Sequence, residues 1–205
     1  MDSLYIPAGF SEANPERATR LISAYPLASL ITIAGQTPYI SHVPLLLERP
    51  TGLPAAAIEG KLIGHLARAN PHAEALADNP DCLAIFRGPD AYISPTLYDS
   101  PGVPTWNYTA VHIRGRARII SELGALESLL RRATNHFEAR NAGAWTFDLQ
   151  GTRRDRLLSA IIGFEITIET AEAKFKLSQN RSVVEQQRIR EHLRGVSPAL
   201  AEWMP

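Results

Sequence analysis

Apolar residues recur along this chain at two spacings, near 3.6 and near 2, and the switches between them mark out its elements. Asn14-Pro15-Glu16 sets a capping side chain before a proline at the first helical position, and Leu21, Ile22 and Tyr25 follow at helical spacing until Pro26. A short helix is expected there. The period then drops to two: Leu30-Ile31-Thr32-Ile33, a Gly35-Gln36 turn and Tyr39 to Leu47 predict an antiparallel hairpin. Residues 49–57 hold two prolines and a glycine and suit a loop, after which Ile58 to Leu66 reads as a strand.

Asn70-Pro71 repeats the cap-plus-proline signal and predicts a helix of about two turns before Asn79-Pro80. Cys82 to Phe86 and Ala91 to Ser94 read as separate strand pieces, because Gly88-Pro89-Asp90 looks like a turn between them. Trp106 to Ile120 is the longest alternating segment, with Val111, Ile113, Ala117 and Ile119 on one face and His112, Arg114, Arg116 and Arg118 on the other. Leu126, Leu129, Leu130, Ala133 and Phe137 give Leu123 to Arg140 a helical face, Arg153 to Ile162 suits a shorter helix, and Gly163 to Glu169 returns to period two. Ser182 with Glu185 three positions on forms a capping box that opens a last helix to Arg194. The pattern describes an α+β chain, predominantly antiparallel β, with residues 1–195 as one domain ending in an integral C-terminal helix and 196–205 as a loose tail.

Composition narrows the function classes. The 205 residues include 21 basic and 21 acidic side chains, so no net field draws the chain to nucleic acid or an anionic membrane. Cys82 is the one cysteine, which excludes an internal disulfide and suits a reducing compartment. The N-terminus shows no basic region ahead of a long apolar stretch, and no window approaches the roughly twenty apolar residues of a membrane span, so a cytoplasmic location is expected. No phosphate-cradling glycine motif and no Gly-x-Ser-x-Gly is present. The six histidines include no pair three or four apart, so no metal site is expected.

Two segments concentrate polar donors. Gly64-His65-Leu66-Ala67-Arg68-Ala69-Asn70-Pro71 runs from a strand into a helix start, where Arg68 could grip phosphate with its planar fork and His65 add a hydrogen bond. In the alternative reading Asn70 only caps the helix and Arg68 is solvated. Lys174-Phe175-Lys176-Leu177-Ser178-Gln179-Asn180-Arg181 carries two of the three lysines on one side of an extended stretch. Ser178, Gln179 and Asn180 could read the edge of a planar heterocycle, with Lys176 or Arg181 balancing negative charge, or the segment could be a polar strand end. Between them, Gly88 to Pro95 and Val103 to Tyr108 combine turn formers with Tyr92, Trp106 and Tyr108, able to wall an aromatic-ligand pocket or to pack a core or subunit contact.

These motifs, with Ala91-Tyr92-Ile93-Ser94-Pro95 and Val103-Pro104-Thr105-Trp106-Asn107-Tyr108, resemble the PaiB-like family of FMN-binding negative transcriptional regulators, over Tyr5 to about Leu193. The resemblance implies an FMN-binding split β-barrel with peripheral helices, related to pyridoxamine-phosphate oxidase-like proteins, in which two subunits form paired cofactor sites. It implies FMN contacts at His65, Ala67, Arg68, Asn70, Tyr92, Ser94, Trp106, Asn107, Lys176, Ser178, Gln179, Asn180 and Arg181. The sequence departs from the family pattern at Leu97, where a tryptophan is expected, and at a shortened Asp99-Ser100-Pro101-Gly102.

Three functions compete: an FMN-binding homodimeric regulator, a flavin-dependent oxidoreductase acting on an unidentified small molecule, and a cofactor-free interaction protein. A regulator or binding protein is expected over an oxidoreductase. DNA binding would have to be local, through the arginine stripe or through Arg188, Arg190 and Arg194 of the last helix.

Overall fold

The computed structural model describes residues 4–50 and 58–205. In chain order these form α1 (Pro15–Ala24), β1 (Leu27–Ala34), β2 (Thr37–Pro44), β3 (Leu46–Glu48), β4 (Lys61–Ala67), α2 (Pro71–Asp78), β5 (Asp81–Ile93), β6 (Thr105–Ile120), α3 (Leu123–Arg140), α4 (Gly151–Ser159), β7 (Ile161–Lys176), α5 (Val183–Val196) and α6 (Pro198–Ala201), with 3-10 turns at Ala8–Phe10 and Pro95–Leu97. The strands make one sheet in the order β2-β1-β5-β6-β7-β4-β3, and β1–β2, β1–β5, β3–β4 and β4–β7 pair antiparallel. The chain divides into two compact units, one made of Met1–Tyr25, Phe86–His112 and Glu172–Pro205, the other of Pro26–Ile85 and Ile113–Ala171.

In the second unit the expected hairpin forms with Ala34 paired to Thr37 and Gly35 at φ +61°, a left-handed conformation that glycine adopts at no steric cost. Helix α2 begins where Asn70 Oδ1 accepts from His72 N at 3.0 Å. Helix α3 begins where the Glu122 carboxylate accepts from Gly124 N and Ala125 N, which also lowers the pKa of that carboxyl. The apolar stripe of α3 puts Leu126 and Leu129 into a core with Leu46, Ile63, Ile120, Phe147 and Leu158. Each such leucine contributes about 1.5–3 kcal/mol through its buried area.

The structure differs from the pattern at four places. Strand β4 starts at Lys61 rather than Ile58, because Gly60 sits at φ +122° with a Cβ position only 2.1 Å from Glu48 O, which breaks the extended run. The expected loop at 49–57 lies largely outside the described residues. Strand β5 runs unbroken through Gly88-Pro89-Asp90, and Gly88 serves close packing: a Cβ there would lie 2.2 Å from Thr109 Oγ1 and 2.5 Å from Leu21 Cδ1. Helix α4 stops at Ser159 because Ile161 and Ile162 join β7, paired with Ala67 and Leu66 of β4. The residues expected to form a loose tail fold into α6 and bury Leu200, Ala201, Trp203 and Met204.

Cys82 is buried, donates to Gly115 O at 3.4 Å, and has its thiol pushed up to about 12 by burial and then by Asp81 and Glu169. The thiolate is the reactive form, so an aromatic disulfide reagent at pH 8 should leave the native chain unmodified and titrate one thiol after denaturation. Fast reaction of the native chain would contradict this burial. Among the described residues no helix is long and apolar enough to cross a membrane.

Candidate functional site

The first unit holds a pocket of about 230 Å³ lined by Phe10, Tyr98, Val103, Thr105, Asn107, Lys176, Ser178, Asn180 and Arg181. It is built at the end of β7 and the start of β6. Strand alternation sends Lys174 and Lys176 to one face of β7 while Phe175 and Leu177 bury on the other. The chain then turns at Ser178, a non-glycine residue at φ +62°. That strained backbone is held from both sides. The Ser178 hydroxyl and the fully buried Asn107 amide bond each other at 2.9–3.1 Å, and Gln179 folds back so that its Oε1 accepts from Leu177 N and its Nε2 donates to Phe175 O.

The wall formed by residues 98–103 is anchored on α5. Glu185 Oε1 accepts from Asp99 N, Ser100 N and the Ser100 hydroxyl, while Oε2 accepts from Ser182 N and its hydroxyl in the expected capping box. Those backbone donors, Ser182 and Ser100 first, hold the Glu185 carboxyl down at about 2. Arg188 clasps Asp99 with both Nη atoms, at 2.7 and 3.2 Å, and also reaches Leu97 O. The shortened Asp99-to-Gly102 segment is thus tied to the last helix.

Lys176 and Arg181 give the pocket its charge. The Lys176 ammonium donates to the Thr105 hydroxyl and lies 6.0 Å from the Phe10 ring centre. Burial, and then the charge of Lys174, lowers its pKa. The Arg181 guanidinium lies over Tyr98, 3.7 Å from the ring centre, with Nη1 at 3.3 Å from the Ser100 hydroxyl. Tyr98 is buried and its hydroxyl has no hydrogen-bond partner among the described residues.

The remaining expected contacts fall at various depths. In the same unit Tyr92 and Trp106 meet edge to face at 6.1 Å and are both about half exposed, a surface able to stack a planar ring. Ser94 caps the Pro95–Leu97 turn through Thr96 N. In the second unit His65 lies in β4 opposite Gly163, with its pKa lowered by burial, and exposed Ala67 accepts from Asn70 N. Arg68 gives Nε to Ser159 O at 2.7 Å and Nη2 to Ile161 O at 2.9 Å, committing two donors to the α4–β7 junction. Asn70 caps α2 and donates to Ser41 Oγ. The sequence reading missed Phe10 and Tyr98. Phe10 carries no motif signal, whereas Tyr98 follows the Ile-Ser-Pro turn, and that turn could have drawn attention to it.

The basic residues weighed for nucleic acid are largely engaged. Arg116 pairs with Asp81 at 2.6 Å and Arg118 with Glu165 at 3.0 Å. In α5, Arg188 pairs with Asp99, Arg194 with Glu191, and Arg190 reaches Pro205 O.

Residues 4–170 match the family described as "Putative FMN-binding domain". This chain belongs to that family. Over 190 residues it is 30% identical to the protease synthase and sporulation protein PAI 2 of Bacillus subtilis, covering 93% of this chain and 89% of that protein. Its fold is similar to that of the FAD and heme binding protein from Mycobacterium smegmatis, with TM-score 0.62, 18% identity, and 86% of this chain and 78% of that one covered. It is also similar to the flavocytochrome Anf3 from Azotobacter vinelandii, with TM-score 0.60, 16% identity, and 85% and 74% covered. The chain is therefore a PaiB-like FMN-binding protein with the α+β split-barrel fold expected of it, an antiparallel sheet with peripheral helices. The family match stops at residue 170, so the Lys174–Arg181 segment lies beyond it.

The pocket of the first unit fits part of such a cofactor. Its volume of about 230 Å³ is below the roughly 300–1,000 Å³ of pockets that enclose a drug-sized ligand. Its cations suit an oxygen-rich, negatively charged group.

Proposed function

We propose that this FMN-binding chain works as a homodimeric regulatory protein, with Tyr92 and Trp106 against the flavin ring and Asn107, Lys176, Ser178, Gln179, Asn180 and Arg181 shaping the neighbouring pocket. In the second unit the proposed contacts are His65, Ala67, Arg68 and Asn70, and Ser94 supports the turn beside Tyr92. The observation that carries the cofactor role is the pocket of the first unit, which gathers Lys176 and Arg181 with the polar side chains of Thr105, Asn107, Ser178 and Asn180 around one space. When bound, FMN would supply a redox-active, light-absorbing ring; the chain supplies binding, orientation and charge. Regulation and dimerisation are supported by the likeness to the PaiB-like family.

Purified protein should show flavin absorbance or bind added FMN saturably, and should sediment as a dimer. A colourless chain that does not take up FMN would defeat the cofactor reading. DNA-shift and NAD(P)H-oxidation assays then separate regulator from oxidoreductase. Arg68→Ala is expected to weaken FMN several-fold more than riboflavin if its remaining donors meet phosphate. Equal weakening of both flavins would restrict Arg68 to the carbonyls of Ser159 and Ile161 that it holds in the structure.

A further inference from the structure

We propose that the first-unit pocket is a receptor for a small anionic group, phosphate or carboxylate, and that Lys176 and Arg181 set its specificity. Three observations converge on this. Among the described residues two cations line the pocket and no carboxylate does. Lys174, Lys176 and Arg181 form no ion pair within 4.0 Å among the described residues. Lys174 is itself buried, its ammonium on Tyr5 O at 2.8 Å and between the Tyr5 and Tyr108 rings, which adds positive potential without neutralising it.

Glu185 and Asp99, the acids of the wall beside Arg181, are occupied elsewhere. Both Glu185 oxygens are filled by Ser182, Asp99 and Ser100 donors, and Asp99 is clasped by Arg188. A half-buried ammonium and a guanidinium held without a counter-ion are costly unless a ligand supplies one. Contact with the Tyr98 ring at 3.7 Å and the Nη1 bond to the Ser100 hydroxyl hold the Arg181 guanidinium in place in advance of an oxyanion. Phe10 and Val103 give the walls an apolar part, and the volume of about 230 Å³ admits a phosphate or a short organic acid.

One such group is the phosphate of FMN; another is a separate small acid that the flavin-loaded protein would sense or use. The first source rests on the FMN reading, the second does not. In one arm the full-length wild type and the Lys176→Gln/Arg181→Gln variant are titrated with FMN and with riboflavin. In the other, the flavin-loaded proteins are titrated calorimetrically with inorganic phosphate and with succinate. Loss of about tenfold or more in FMN affinity with riboflavin unchanged assigns the pocket to the cofactor phosphate. The same loss for phosphate or succinate with FMN unchanged assigns it to a separate acid. Equal binding of all four probes by both proteins, or a wild type that binds neither phosphate nor succinate together with a variant whose FMN affinity is unchanged, overturns the proposal. Lys176→Arg, which keeps the charge, should retain most of the affinity. Removing unpaired cations should leave the unliganded unfolding midpoint equal or higher; if the double variant is less stable, the single variants measured below their own transitions decide. A wild type that binds neither flavin ends the FMN reading, while phosphate and succinate still decide the pocket.

Discussion

Trp203→Ala should lower the unfolding midpoint by about 10 °C, because truncating a buried tryptophan costs about 3–5 kcal/mol and each 1 kcal/mol shifts a chain of this size by about 2–4 °C. Trp203, two residues before the last residue, is 3% exposed. Its indole meets Phe175 edge to face at 5.5 Å, and the Arg20 guanidinium lies 4.7 Å from its ring centre. Its carbonyl accepts from Arg17 Nη2 at 2.7 Å, which ties the backbone to α1. Phe175 sits between Lys174 and Lys176, so loosening this packing should also blur the pocket on the other face of β7. Thermal unfolding by circular dichroism, with anion or FMN titration at a temperature where the variant is folded, reads both effects. A shift under about 3 °C would mean that the C-terminal turn is not part of the core.

Glu185→Gln is the second large effect, with an expected fall of about 5–10 °C near neutral pH. The carboxylate accepts from three backbone N–H groups and two hydroxyls, and an amide would turn two donors of its own toward that nest. The pH dependence carries a sign. The Glu185 carboxyl lies near 4.5 when unfolded and at about 2 in the fold, so the unfolded chain binds the proton first and folding favours the ionised form. Its stabilisation is fully present above about 4.5 and is lost as pH falls toward about 2. The difference in midpoint between wild type and Glu185→Gln should shrink through that window. A difference constant from pH 7 to pH 2.5 would remove Glu185 ionisation as its cause.

Much of the fold could be read from particular residues. Asn14-Pro15, Asn70-Pro71 and Ser182 with Glu185 each open a helix where expected, because a cap is a bond between near neighbours and needs no tertiary context. Strand β6 runs from Thr105 to Ile120 with Arg114, Arg116 and Arg118 exposed, because a two-residue period over so long a run has few other meanings. Gly88 was misleading because a glycine in a turn and a glycine under a neighbouring side chain look alike in sequence, and Leu21 and Thr109 decide between them.

The candidate site divides along the same line. The sequence by itself determined the family, most of the helices and strands, and the presence of Lys176, Ser178, Asn180 and Arg181 in one dense segment. Only the tertiary structure decided how each donor is used: Arg68 turned onto two backbone carbonyls, Gln179 folded onto its own strand, and Glu185 filled by the loop of Asp99 and Ser100. It also brought in Phe10 and Tyr98 and, among the described residues, set no carboxylate beside Lys176 and Arg181 in the pocket. The reason is physical. Residue type sets what a group can donate or accept, but whether that capacity is spent within the chain or left for a ligand depends on neighbours that the fold alone brings into reach.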